Sequence, residues 1–360
     1  MMDFVSSVIQ NIIANFVTAL IVALFAYMLL YLRLSGFGQR LRKYIHPKKR
    51  VVVFPDFSIE HVVKLENSGF ESPINERERD ILVNFYTSRN GVRSATNGVA
   101  VRLDGLKKNG VNHYVPEISK VGFHDFIATN LTVFPANAPV RSVRGQFLAI
   151  NKWVSSFSIL NTVSAEVKKH GKPESVADVL ANRSLANIIA VSILIEDING
   201  RVCLVKRSKH VAISSGNFGA SCAGTVGGHD FEAENPFENC GIREIFEELN
   251  LTVNELNFDG VVIPKQKLQP IFLYHARIED TWESVLPHIH NAQDFNFETS
   301  AVYAVPANKL IQFASHVRMT DASAYQVWDY AKKRGHIKGW YISMLIPHNI
   351  KKYLISESNS

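Results

Sequence analysis

Three carboxylates within five residues are the part of this sequence best suited to chemistry. Glu244, Glu247 and Glu248 stand at i, i+3 and i+4 in the segment REIFEEL, so on a helix all three project from one side. Oxygen donors placed together in this way suit a hard divalent cation such as Mg2+ or Mn2+. A solvated acidic helix face is the other reading. Upstream, Gly227 and Gly228 let backbone approach a ligand closely. Lys206 and Arg207 end a strand beside that glycine loop. They either meet a phosphate or form a solvated strand end. Strand, glycine turn, acidic loop and carboxylate helix together read as a platform for metal and phosphate.

The elements that must position these residues are legible around them. NIIAVSILIED (187–197) reads as a continuous apolar strand, Asn199-Gly200 as a tight turn, and RVCLVKRS (201–208) as the returning strand. Residues 51–184 say less. VVVFP (51–55) and VAVRL (99–103) read as strands, and NERERDILVNFY (75–86) as a helix with Glu76 and Glu78 near its start. QFLAINKWVSSFSILNTV (146–163) and a boundary helix within 170–184 are also expected. Asn90-Gly91, Asn97-Gly98 and Asn109-Gly110 are turn signals. No chemistry is assigned to this region.

The segment 225–253 resembles the Nudix box, which runs Gly, five residues, Glu, seven residues, then Arg-Glu-apolar-x-Glu-Glu-x-Gly-apolar. Gly228 begins it, Glu234 follows, and Arg243, Glu244, Ile245, Glu247, Glu248 and Leu251 fit its second half. The resemblance spans residues 185–335 and implies an α/β/α sandwich, with ETSAVYAVPANKL (298–310) as its late strand and following loop and TDASAYQVWDYAKK (320–333) as its closing helix. It also implies Glu244, Glu247 and Glu248 as Mg2+ ligands, and Arg243 as the residue that orients the loop by pairing with Glu234. Two departures stand out. Eight residues separate Glu234 from Arg243, and the glycine after the helix is Asn250. Asn tolerates the left-handed helix end, whereas the extra residue shifts Glu234 relative to Arg243.

Charge is distributed unevenly. The net charge of +6 comes from the basic run Arg33–Arg50, which holds seven bases and no acid, against Asp3; residues 51–360 are neutral overall. The basic pI therefore gives no argument for binding duplex nucleic acid. Cys203, Cys222 and Cys240 show neither a disulfide framework nor a zinc spacing, which fits a reducing compartment. From Phe4 to Leu32 no residue is charged. Its densest part, residues 12–32, spans about 31 Å as a helix, one hydrocarbon core. A signal peptide would place its bases before the apolar run, so the expectation is an anchor with the C-terminal bulk in the cytosol. Asn11, Asn15 and Thr18 share one side of this helix. They contact interfacial water or hydrogen-bond across helices in a homo-oligomer.

The expected architecture is α/β: a transmembrane helix at 1–33, a basic linker at 34–50, a mixed α/β extension at 51–184 and a Nudix-like α/β/α sandwich at 185–360. One transmembrane helix ahead of such a domain resembles the transmembrane Nudix effectors of CBASS, the bacterial anti-phage system built around a cyclic-nucleotide synthase. That resemblance implies a cytosolic domain that senses a cyclic oligonucleotide, with Gly227, Gly228, Lys206, Arg207 and Arg243 as candidate ligand contacts. It also implies a helix that disrupts the inner membrane to kill the infected cell. The alternative is a membrane-tethered, Mg2+-dependent Nudix hydrolase of nucleoside diphosphate derivatives.

Overall fold

The computed structural model describes residues 50–54, 61–89, 97–108, 114–131, 183–209, 211, 214–265, 267–337 and 349–357. The expected transmembrane helix, the linker up to residue 49, the 146–163 helix, most of 170–184 and the turns at 90–91 and 109–110 lie outside them. Among the described residues no helix is long and apolar enough to cross a membrane.

The central strand is β5 (Ala190–Glu196), buried along its whole length. It pairs in parallel with β9 (Ile271–Arg277) on one side and antiparallel with β6 (Arg201–Arg207) and β7 (Cys222–Thr225) on the other. With β1 (Val51–Phe54), β8 (Asn257–Pro264), β10 (Thr299–Pro306) and β11 (Leu354–Glu357) they form an eight-stranded sheet in the order β1-β8-β9-β5-β6-β10-β11. Successive side chains alternate across a strand, and here both faces are apolar. Val191, Ile193 and Ile195 face Phe237, Cys240, Ile245 and Leu249 of the helix α3 (Pro236–Leu249), and Trp282 of the helix at 282–290. Leu194, Val202 and Leu204 face Phe313 of the helix α6 (Leu310–His316), and Val327 and Tyr330 of the helix α7 (Asp321–Lys333). Helices thus cover both faces of one sheet, which gives the expected α/β/α sandwich.

The extension is built into the same core. Strand β1 pairs antiparallel with β8, from Val51 opposite Pro264 to Phe54 opposite Val261. Strands β2 (Val63–Lys64), β3 (Val99–Lys108) and β4 (Tyr114–Gly122) make a small second sheet in the order β2-β4-β3. The free edge of β3 then wedges into the main domain. Val101 N–H donates to the Val226 carbonyl at 2.8 Å, and the Val101 carbonyl accepts from Ile189 N–H at 2.9 Å. Val52, Phe54, Val101, Leu103 and Ile118 pack in the same cluster as Val191 and Ile193. The helix α1 (Glu76–Arg89) opens on a capping box: Asn75 Oδ1 accepts from Glu78 N–H and Glu78 Oε2 from Asn75 N–H.

This shared core predicts one unfolding event. Leu103→Ala removes a fully buried side chain and is expected to cost about 2–5 kcal/mol in a single cooperative denaturant transition that also reports on β5. Two separable transitions would show the extension and the sandwich to be independent.

Candidate functional site

Helix α3 presents the carboxylates, and its ends are fixed locally. Asn235 caps it by accepting from Phe237 and Glu238 N–H, Pro236 opens the first turn, and Asn250 closes it in the left-handed conformation (φ 52°). The Asn250 substitution is thus accommodated as expected. Glu244 and Glu248 turn inward onto β7, both buried. Glu248 Oε1 accepts from Ala223 N–H at 3.1 Å. A Cβ on Gly224 would lie 1.8 Å from the Glu244 carboxyl carbon, so only glycine at position 224 leaves room for this carboxylate. Sequence reasoning noted Gly227 and Gly228 and passed over Gly224.

Arg243 has a different partner from the one the box pattern implies. Its guanidinium bonds Asp230, with Nη2 to Oδ2 at 3.1 Å and Nε to Oδ1 at 3.3 Å, rather than Glu234. The extra residue before Arg243 has moved Glu234 to the exposed surface, where it lines a separate open cavity with His61 and Glu238. Asp230 is 0% exposed and also accepts from Gly227 N–H at 2.8 Å and Asn239 Nδ2 at 2.9 Å. It does the loop-orienting work assigned to Glu234. Arg243 Nη1 meanwhile bridges Glu244 at 2.8 Å and Glu247 at 2.6 Å.

The glycine pair is engaged within the protein. Gly227 N–H goes to Asp230, and Gly228 N–H donates to the Val99 carbonyl at 2.8 Å. A Cβ at Gly228 would stand 2.9 Å from Val99 Cβ, so this glycine admits β3. The carboxylates lie instead beside a cleft at the β7 end of the sheet. Its lining includes Arg207, Gly224, Thr225, Ser214, Lys267 and Ser323. Arg207 faces this cleft, while Lys206, its neighbour on β6, is exposed and lies outside the lining. Lys267 and Glu298 carried no sequence signal. Neither stands in a motif, and only the fold brings them to Arg207.

The electrostatics follow from burial. Burial is the largest cause raising Glu244, to about 7; Arg243 opposes it, while Glu298 and Glu247 add to it. Burial, then Glu298 and Glu244, push Glu248 well above the usual carboxylate range. Glu298 is raised by burial and held back by Arg207, whose guanidinium lies 3.8 Å away. Lys267 is lowered to about 8 by burial and by Arg207, with Asp321 opposing. The donor types at Glu244, Glu247 and Glu248 fit Mg2+, since hard oxygens short of positive charge favour it. Their arrangement is the one in which Arg243 supplies the cation. Among the described residues no group of three His, Cys, Asp or Glu side chains is set to hold a metal ion.

The family profile described as NUDIX domain matches residues 186–318, and no curated protein matches the sequence. Similar solved structures include a mutT/nudix family protein from Listeria innocua, at 17% identity over 41% of this chain and 94% of that one, TM-score 0.31. The NUDIX domain of Shewanella oneidensis NrtR, complexed with ADP ribose, is similar at 18% identity over 44% and 97%, TM-score 0.30. A MutT NUDIX hydrolase from Burkholderia pseudomallei is similar at 19% identity over 39% and 96%, TM-score 0.29.

The raised Glu244 makes a signed prediction. Between its unfolded value of 4.5 and its folded value of about 7, the folded protein holds a proton that the unfolded chain gives up. Stability is therefore greatest below this window and falls as pH rises through about 7, by at most about 3 kcal/mol. In EDTA, the melting temperature should drop between pH 5 and pH 8, and Glu244→Gln should flatten that slope. A wild-type melting temperature that is flat or rising over this range would refute the assignment.

Proposed function

We propose, from a Nudix domain at residues 186–318 whose cationic cleft adjoins an internally neutralised carboxylate helix, that this chain is a membrane-anchored CBASS effector. Its Nudix-like domain senses a cyclic oligonucleotide, and its N-terminal helix disrupts the inner membrane to kill the infected cell. The observation that carries this reading is how charge is divided at the site. Arg243 already bridges Glu244 and Glu247, so these carboxylates are compensated by a tethered cation. Arg207 and Lys267 line the cleft together with Ser214, Thr320 and Ser323, which offers charged and hydroxyl donors to phosphate oxygens.

The cleft measures about 120 Å³, below the roughly 300–1,000 Å³ of sites that enclose a whole small molecule. It suits one phosphodiester of a larger ring, with the remainder of the ligand left outside to be met by a second protomer. A ligand shifts an equilibrium only by its differential affinity for the two states, and bridging protomers supplies that difference. Tethering to one bilayer raises the local concentration of helices. Interhelical hydrogen bonds from Asn11, Asn15 and Thr18, about 1 kcal/mol each, then favour assembly.

A second reading, the Mg2+-dependent hydrolase, is favoured by one observation: Glu244, Glu248 and Glu298 are raised together in a buried cluster. Glu244, Glu247 and Glu248 would hold the ion, which would supply Lewis acidity toward a phosphoryl oxygen and its attacking water. Arg243 Nη1 lies between two of these ligands and would have to withdraw from them.

Binding and turnover separate the two. Titration with a panel of cyclic di- and trinucleotides should show a ligand that binds in EDTA, and Lys267→Met should weaken it at least tenfold. Affinity should fall as pH rises past about 8, because Lys267 loses its charge there, and Lys267→Arg should retain affinity at pH 9. Turnover of nucleoside diphosphate derivatives that needs Mg2+ and is lost in Glu247→Gln or Glu248→Gln would establish the hydrolase instead.

In cells, the full chain should harm its host only when the cognate cyclic nucleotide is made. Deleting residues 1–32 should abolish harm while leaving binding intact. Toxicity indifferent to the nucleotide would sink the sensor reading.

A further inference from the structure

We propose that the ligand cleft is coupled to the juxtamembrane chain through Arg50, so that an anion bound at Arg207 and Lys267 tightens the grip of the globular domain on the segment leading to the membrane anchor. The proposal rests on the sensor reading above and specifies how that site would be read out.

Arg50 is the residue at which the basic juxtamembrane run enters the described fold, and it is held three ways. Its Nη1 pairs with Asp321 Oδ1 at 3.3 Å. Its carbonyl accepts from Lys265 N–H at 2.9 Å. The next residue, Val51, stands opposite Pro264 in the β1–β8 pairing. Two of these holds come from elements that wall the cleft. Asp321 opens the first turn of α7, whose cap Thr320 and following Ser323 both line the cleft. Lys265 sits in the turn after β8 that also carries Lys267, and Lys267 and Leu268 N–H both close onto the Pro264 carbonyl. Leu268 is wholly buried there with φ 47°, a left-handed conformation that a leucine keeps only where packing enforces it. The turn is therefore a stiff link between cleft and clamp.

The charges along this path alternate in a useful way. Glu298 faces Arg207, Arg207 and Lys267 repel each other, and Lys267 also attracts Asp321, the carboxylate that holds Arg50. Asp321 thus pairs with Arg50 and also feels the Lys267 charge. A phosphodiester placed on Arg207 and Lys267 relieves their repulsion and engages the ammonium, which leaves Asp321 to Arg50. Two fifths of the Arg50 side chain remains in solvent (41% exposed, against 16% for Asp321), so the pair is weak enough to respond and screened enough to need the backbone holds beside it.

The test uses the full-length chain in lipid vesicles loaded with a self-quenched dye, with cyclic di-AMP, cyclic di-GMP and cyclic tri-AMP as probes. Binding to the same vesicles is measured separately. The expected result is that Arg50→Gln binds the active probe within about twofold of wild type, yet releases dye at least tenfold less. Arg50→Lys, which keeps the charge, should restore most of the release. Arg50→Gln vesicles that leak like wild type would overturn the coupling and leave the sensor reading standing, as would variants that lose binding itself. If no probe binds wild type, or wild-type leakage ignores the probe that binds, the sensor reading and this coupling fall together.

Discussion

Asp230 is shut away from solvent and meets the guanidinium of Arg243, and much of the site is arranged around that pair. A buried carboxylate left without a partner costs several kcal/mol, so once the chain buries Asp230 it must bring Arg243 to it. Asp230 also takes Gly227 N–H and the Asn239 amide, which pins the loop to the first half of helix α3. Arg243 Nη1 bridges Glu244 and Glu247, and Nη2, besides meeting Asp230, donates to the Thr225 carbonyl. Loop, helix and strand end are thereby locked in one register, and the carboxylates of α3 are held at fixed positions over β7.

Close approach of backbone does the rest. Gly224 lets the Glu244 carboxyl lie flat against β7, and Gly228 lets β3 come in beside the loop. The wedge of β3 between the starts of β5 and the end of β7 makes the extension part of the sandwich's own hydrogen bonding. Its position behind the Asp230 loop ties the geometry of the site to a segment more than a hundred residues upstream. On the opposite face, Gln326 of α7 donates to the Ser192 and Tyr274 carbonyls and accepts from Ser192 Oγ. A buried amide satisfied in this way fixes α7 against the two central strands, and with it Thr320 and Asp321 at the cleft.

The site therefore joins two kinds of electrostatics. On the α3 side, buried carboxylates are matched internally by Arg243. On the cleft side, Arg207 and Lys267 sit close together with Glu298 and Asp321 at their flanks. An anion entering the cleft meets Arg207 and Lys267 side by side, while a cation approaching α3 must compete with a guanidinium already in place.

Much of this was determined locally and could be read from the sequence. A continuous apolar run gave β5, the segment after the Asn199-Gly200 turn gave β6, and Asn250 marked a helix end that the fold uses. The i, i+3, i+4 spacing put the three glutamates on α3. The sequence alone also carries the expected membrane anchor, because an uncharged stretch followed by bases is a one-dimensional property. Long-range placement was not legible. One inserted residue turns a helix position by about 100°, and only the folded loop shows Asp230 replacing Glu234. Whether Lys206 or Arg207 faced the cleft depended on strand register against β10 and the loop at Phe218. Lys267, Glu298 and Arg50 have no motif at all. They matter because the fold brings residues 50, 207, 267, 298 and 321 together, and burial there lowers Lys267 and raises Glu298.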